Sequence, residues 1–314
     1  MDLQPNRNEN VDTGTLRIQL TNRSNGIPVE GAKISVSYTG NPSQIIEEVS
    51  SDDSGNTETL TLDAPPLEYS MQPSERQPYS EYTIQITAPG YRDITVSAID
   101  ILPGEAAIQN VTMDREDSPG NPIDTIVIPA HTLYGDYPPK IPEDEIKAMD
   151  ESGEIVLSRV VIPEYVVVHD GAPSDSTAND YYVRYRDYIK NVASSEIYAT
   201  WPAATIRANV LAIMSFTLNR VYTEWYRGKG YNFTITSSTA YDHKFMYGRN
   251  IFQSIATIVD EIFENYLSRP NVRQPILTQY CDGQRVTCPN WMTQWGSKYL
   301  GDQGYSAIEI LRNY

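Results

Sequence analysis

The hydrophobic pattern changes period once along this chain, and that change limits what it can fold into. Up to about residue 113 apolar residues alternate with polar ones. GTLRIQL (14–20), KISVSYTG (33–40), YTIQITA (82–88), DITVSAI (93–99) and IQNVTM (108–113) all read as half-buried strands. Turn formers separate them in SNGIPVEGA, DDSGNT, APGY and LPGE. From about residue 186 the spacing becomes helical. RDYIKNVASSEIYAT, WPAATIRANVLAIMSFTLNRVYTEWY (201–226) and NIFQSIATIVDEIFENYL (250–267) repeat apolar residues at three- and four-residue steps. Pro202 suits a first helical turn, and Ser306 with Glu309 makes a capping box. The expected fold is an N-terminal all-β sandwich over 1–115 and a C-terminal mixed α+β domain over 160–314. Between them, 116–159 reads as a proline-rich, acidic, exposed linker open to proteases, although TIVIPAHTL within it has strand character.

The chain's 314 residues suit two domains. A net charge of −17 opposes binding to phosphate-rich surfaces, so nucleic acid is not an expected partner. No run of 18 apolar residues is present, so no membrane span is expected. The N-terminus MDLQPNRNEN lacks the basic-then-apolar pattern of a signal peptide. Tyrosine is abundant, 23 residues against five Phe, which suits a surface that grips polymers such as glycans and equally suits plain structure.

Glu196 is the residue that most needs a reason. It falls four positions after Val192, on the apolar stripe of Tyr188, Ile189, Val192, Ala193 and Ile197. A carboxyl desolvated in that way has a raised pKa and suits a general acid near neutral pH. The bland reading is a helix-end glutamate paired with Lys190 or Arg207. No G-x-S-x-G elbow, Walker loop, G-x-G-x-x-G or H-E-x-x-H occurs, and His131, His169 and His243 form no ligand pair by spacing. Cys281 and Cys288 are open to three readings: a short-loop disulfide, free thiols, or two ligands of a structural zinc, with His243 the first candidate for a third. No cofactor is expected. CPNWMTQWG offers two tryptophans around a glutamine, either a sugar platform or a packed aromatic loop.

Several stretches resemble known families. GIPVEGAKISV, SDDSGNTETLTLDAP and YTIQITAPGY resemble the carboxypeptidase-regulatory-like sandwich, which implies an accessory domain without chemistry. YIKNVASSEIYATWPAATIRANVLAIMSFTL and TQWGSKYLGDQGYSAIEILRNY resemble the stage II sporulation protein D family. On that resemblance the family's glutamate falls on Glu196, its Trp-Pro on Trp201 and Pro202, its basic residue on Arg207, its amide on Asn209 and its later glutamine on Gln294. Two positions depart from the pattern: Met214 stands where the family usually has Arg, and CPNWM replaces a Gly-His pair. HTLYGDYPPKIPE, VVVHDGAPSD, TAYDHKFMYGRNIF and the C-terminal run extend the likeness to the SleC-type spore cortex-lytic enzymes in their precursor form.

That resemblance implies a lytic transglycosylase of peptidoglycan. Such an enzyme cleaves between N-acetylmuramic acid and N-acetylglucosamine and leaves a 1,6-anhydro ring, with Glu196 as the single acid and base. It implies glycan contacts from Tyr198, Trp201, Arg207, Tyr241, Asp242, Tyr280, Gln294 and Trp295, with Asp242 a candidate second acid. It further implies a zymogen activated by a subtilisin-like germination protease cutting in the linker, GEIVLSRVV (153–161) being the expected region. Spore cortex is the implied location, and a peptidoglycan-binding domain is expected beyond Tyr314. The competing expectations are a non-catalytic glycan-binding or assembly module and an amidase acting on stem peptides.

Overall fold

The computed structural model describes residues 11–119, 123–147 and 157–314. It is a mixed α and β structure with several sheets and six α-helices. The chain divides into two compact units, one of residues 1–130 with 246–254, the other of 131–245 with 255–314.

The first unit carries β1 (Asp12–Asn22), β2 (Lys33–Tyr38), β3 (Ile45–Ser50), β4 (Leu60–Ala64), the single turn α1 (Glu68–Met71), β5 (Ser80–Thr87), β6 (Ile94–Ile101), β7 (Ala106–Met113) and β8 (Thr125–Val127). β3, β2, β5, β6 and β8 form a five-stranded sheet in that order. A second sheet has four strands, β7, β1 and β4 with a late two-residue strand, Ile251–Phe252, beside β7. The alternation read in the sequence is the burial pattern: Leu16, Ile18 and Leu20 of β1 are buried, as are Ile34 and Val36 of β2 and Ile84 and Ile86 of β5.

The late strand belongs to the segment 246–254, which the helical reading of 250–267 had absorbed. Arg249 is buried in this unit against the carboxylate of Asp100, and its Nη2 donates to the Pro129 carbonyl at 2.8 Å. Asn250 exchanges two hydrogen bonds with the Asp100 backbone, at 3.1 and 2.9 Å. Gly248 has φ +79°, and a Cβ there would meet Ile126 Cγ2 at 2.6 Å, so a residue with a side chain does not fit. Once Ile251 and Phe252 are committed to the ladder with β7, the helix can start only at Gln253.

The second unit contains β9 (Tyr165–His169), β10 (Asp180–Arg184), α2 (Tyr185–Glu196), α3 (Ala203–Tyr222), β11 (Ile235–Thr236), then β12 for Ile251–Phe252 of the first unit, α4 (Gln253–Ile262), β13 (Tyr280–Cys281), β14 (Met292–Thr293), α5 (Gln294–Asp302) and α6 (Ala307–Arg312). β9 is the middle strand of three, and its Val166, Val167 and Val168 are all buried. α3 is the central element, packed by α2, α5 and α6. It is buried nearly all round, which its apolar sequence requires. Ser215 and Thr217 hydroxyls donate one turn back along α3, and Asn209 Nδ2 reaches Ser297 Oγ on α5 at 2.8 Å. The Ser306–Glu309 capping box is present at the start of α6.

α5 lies close to α3 at Gly301, where a Cβ would meet Thr205 Oγ1 at 2.0 Å. Gly301→Ala is expected to destabilise the protein by about 1–3 kcal/mol through overpacking, in spite of alanine's better helix propensity. Thermal unfolding of the two proteins checks this.

Residues 131–147 differ most from the linker expectation, because they are packed into the second unit. The Ile141 N–H donates to the Ala240 carbonyl at 2.8 Å, and the Leu277 N–H to the Glu145 carbonyl at 2.9 Å. Two side-chain amides imitate a strand partner. Gln279 accepts from the Glu143 N–H (3.0 Å) and donates to the Ile141 carbonyl (2.8 Å), and Gln274 does the same for the N–H (2.7 Å) and carbonyl (3.2 Å) of Lys147. His131, Thr132, Leu133, Tyr137 and Lys140 are buried. Residues 148–156, which include part of the expected cleavage region, lie outside the described residues.

Candidate functional site

Glu196 is the last residue of α2, and Ile197 after it is extended. The helix therefore delivers the carboxyl inward at the point where the chain leaves it. Only 2% of Glu196 is exposed. One oxygen, Oε1, accepts from the Lys244 N–H at 2.7 Å. The other accepts from the Tyr280 hydroxyl on β13. Neither cation of the bland reading is its partner: Lys190 pairs with Asp260 at 2.8 Å and Arg207 with Glu261.

Burial pushes the Glu196 carboxyl above the usual glutamate range, against the opposing pull of Lys140, Tyr280 and the Lys244 N–H. The hydrogen-bond set serves both protonation states. Tyr280 donates to the carboxylate and, as a hydroxyl, can accept from the acid, while the Lys244 N–H bonds the remaining oxygen either way. His243, one residue before Lys244, is buried with its Nδ1 3.0 Å from the Tyr188 hydroxyl and its ring stacked on Tyr280. Burial first, then Lys140 and Arg220, pull its pKa well below the ordinary histidine range, so it is neutral.

The other residues named from the sequence divide into three groups. Gln294 and Tyr280 are at Glu196: Gln294 Nε2 donates to the Glu196 carbonyl at 2.9 Å, and its buried Oε1 has no hydrogen-bond partner. Tyr198, Trp201 and Trp295 form one aromatic cluster, with centroids 5.8, 6.1 and 4.9 Å apart. These three rings are buried and packed against one another. Arg207, Tyr241 and Asp242 have other employment. Arg207 sits at the surface with Glu261, and Tyr241 lends its carbonyl to Arg220 Nη2 at 3.1 Å.

Asp242 is not turned to a groove. Its oxygens accept from Arg220 Nε (2.7 Å), the Tyr226 hydroxyl (2.6 Å), and the Thr236 N–H (2.9 Å) and hydroxyl (2.7 Å). A carboxylate so buried and so bound is engaged with its own network rather than with a sugar. Asp282, the other carboxylate near the site, accepts three N–H bonds from its own turn, residues 284–286. Cys281 and Cys288 form a disulfide, S–S 2.05 Å, which closes that turn. Among the described residues no group of three or more His, Cys, Asp or Glu side chains is placed to hold a metal ion.

Sequence reasoning missed the strap residues. Lys140 Nζ donates to the carbonyls of Asp242 and Thr239 and lies 5.1 Å from the centre of the Tyr280 ring. The Tyr137 hydroxyl is close enough for Glu196 to raise its pKa, an effect second to that of burial. Glu143 meets the fully buried Arg220 through two bonds, 2.6 and 3.0 Å, and also pairs with Lys147. Nothing local marks these roles, because every partner is distant in sequence.

Burial pushes the Glu143 carboxyl up, but Arg220 and Lys147 outweigh it and leave it below the usual 4.5. A depressed folded-state pKa contributes stability that is present above the unfolded value and is lost as pH falls through the folded one. The parent should therefore lose more thermal stability than Glu143→Gln on acidification from just above pH 4.5 downwards. Parallel melting curves at stepped pH test the difference.

No protein-family model matches the chain, and no curated protein is significantly similar to it. Solved structures match about a third of it. The Bacillus anthracis TIE protein is 18% identical over 33% of this chain and 17% of its own, with a TM-score of 0.23. The minor pilin GBS52 of Streptococcus agalactiae is 12% identical over 36% of this chain and 48% of its own, TM-score 0.25. Catechol 1,2 dioxygenase of Acinetobacter radioresistens is 16% identical over 37% and 58%, TM-score 0.24. The chain thus spans less than two thirds of the length of each. Among the described residues no helix is long and apolar enough to cross a membrane.

Proposed function

We propose that this chain is the precursor of a peptidoglycan lytic transglycosylase acting on spore cortex glycan. Glu196 carries the reading: a carboxyl buried on a helix end, biased towards its acid form and hydrogen-bonded so that both protonation states are accommodated. In the proposed reaction the Glu196 acid gives its proton to the glycosidic oxygen as the bond to muramyl C1 breaks. The resulting carboxylate then removes the proton from the muramyl C6 hydroxyl as O6 bonds C1, which closes the anhydro ring and restores the acid. One carboxyl serves both steps. A hydrolase of the usual kind needs a second carboxylate at about 5–9.5 Å, and the neighbouring Asp242 and Asp282 are both engaged in hydrogen bonds with their own surroundings.

The stage II sporulation protein D-like reading of the second unit, the carboxypeptidase-regulatory-like reading of the first, activation by a subtilisin-like protease and location in the spore cortex belong to the same proposal. They rest on the sequence resemblance. The sealed state of Glu196 is consistent with a form that awaits processing.

The test is digestion of purified cortex by the protein before and after cleavage in the linker, with products identified by mass spectrometry. Anhydro-muropeptides that accumulate faster after cleavage support the proposal. Reducing ends indicate a hydrolase, free stem peptides an amidase, and binding without product a glycan-binding module. Each of these three results overturns it.

A further inference from the structure

Residues 131–147 touch the surroundings of Glu196 at more than one point. At one end, Thr132 donates through N–H and hydroxyl to the Ser195 carbonyl, at 3.2 and 3.1 Å, and His131 Nε2 lies 3.3 Å from the Ile197 carbonyl. These carbonyls flank Glu196 at the C-terminus of α2, where a helix leaves acceptors unpaired. In the middle, Lys140 lies over the ring face of Tyr280, the residue that bonds Glu196. At the other end, Glu143 and Lys147 are tied to Arg220, Gln274 and Gln279.

One side chain, Arg285, bonds four carbonyls of the turn at 131–135. Arg285 Nη1 donates to the carbonyls of Thr132 (3.0 Å) and Gly135, and Nη2 to those of Leu133 (2.7 Å) and Tyr134 (2.9 Å). Arg285 lies within the loop that the Cys281–Cys288 disulfide closes. The Asp282 carboxylate fixes that loop through the N–H groups of Gln284, Arg285 and Val286. The same loop begins one residue after Tyr280, so Arg285 and the hydrogen-bond partner of Glu196 lie on one short segment.

We propose that residues 131–147 are an internal plug of the Glu196 site, held shut by Arg285 on the disulfide-closed loop, and that releasing this clamp opens the site without cutting the chain. The proposal deepens the enzymatic reading and rests on it for its biological meaning, but not for its test. The plug acts twice. It packs on the backbone either side of Glu196 and on the Tyr280 ring, and its Lys140 ammonium favours the carboxylate over the acid that the first proton transfer needs.

The test uses the full uncut chain and reads the accessibility of Glu196. A water-soluble carbodiimide with an amine nucleophile converts reachable carboxyls to amides, which peptide mass spectrometry locates. In the parent, Glu196 should react far more slowly than the exposed Glu30 and Asp53. In Arg285→Ala, a surface change that leaves the core intact, its labelling should rise about tenfold, the equivalent of roughly 1.4 kcal/mol of lost clamp. Lys140→Met, and mild reduction of the disulfide in the parent, should raise it independently. Unchanged protection of Glu196 under all three treatments overturns the plug. Increased labelling in the uncut chain, with no glycan cleavage even after the linker is cut, upholds the plug and overturns the enzymatic reading, so the two fail separately. Increased labelling together with glycan cleavage by the uncut Arg285→Ala protein supports both.

Discussion

Glu196→Gln is expected to lower the rate of glycan cleavage by the processed protein by about 10²–10⁴-fold, the usual contribution of a positioned proton donor. The fold should be indifferent to the change. The amide oxygen can accept from the Lys244 N–H, and the amide nitrogen can donate to the Tyr280 oxygen, which then acts as acceptor. Shape and burial are kept and only the transferable proton is lost. Product formation by mass spectrometry and thermal unfolding should therefore separate: activity falls while the melting temperature stays close to the parent's. If the variant keeps the parent's rate, Glu196 has no part in the chemistry.

Arg220→Met is expected to have the largest effect on stability. The guanidinium on α3 is fully buried and neutralises two carboxylates, Asp242 at 2.7 Å and Glu143 at 2.6 Å. Asp242 is itself completely buried and Glu143 nearly so. Removing the cation strands both charges, and breaking such a pair from one side costs about 3–5 kcal/mol. For a unit of this size that corresponds to a fall in melting temperature of about 10 °C. The matching surface substitution, Arg227→Met, breaks an exposed contact with Glu224 at 3.8 Å and should change stability by less than about 0.5 kcal/mol. Calorimetry on the two variants tests the contrast. Equal melting temperatures would show that the buried network contributes nothing to the fold.

The position of Glu196 was legible because it depended on one local period. Val192, Ala193 and Ile197 fix which face of α2 turns inward, and a glutamate in register with them has to follow. β1, β2, β5, β6 and β7 were legible for the same reason, each being a strand whose alternation is complete within itself. β3 was not legible, because its IIEEVS is an edge strand with little burial and no clean alternation. Ile251 and Phe252 read as the start of a helix because their strand pairing is with Ile108 and Ala107, far away in sequence.

The strap shows where pattern reading stops. YPPKIPEDE has the composition of an exposed linker, and its prolines do exclude it from regular structure. Its order comes from Gln274, Gln279, Arg220 and Arg285, all more than 75 residues downstream. Asp242 misled in the opposite sense. Its motif pointed to chemistry, whereas its four hydrogen bonds make it a structural anchor. Pattern could not say that Tyr198, Trp201 and Trp295 face one another.

Digestion of cortex glycan in water enriched in oxygen-18 tests the single-carboxyl account most directly. If Glu196 passes a proton to the leaving oxygen and takes one from the muramyl C6 hydroxyl, the new bond at C1 uses an oxygen already in the sugar. The muramyl products should then form with no label from solvent. Stoichiometric oxygen-18 at muramyl C1 would mean that water is the nucleophile, and one buried glutamate closing its own substrate's ring could not be the mechanism.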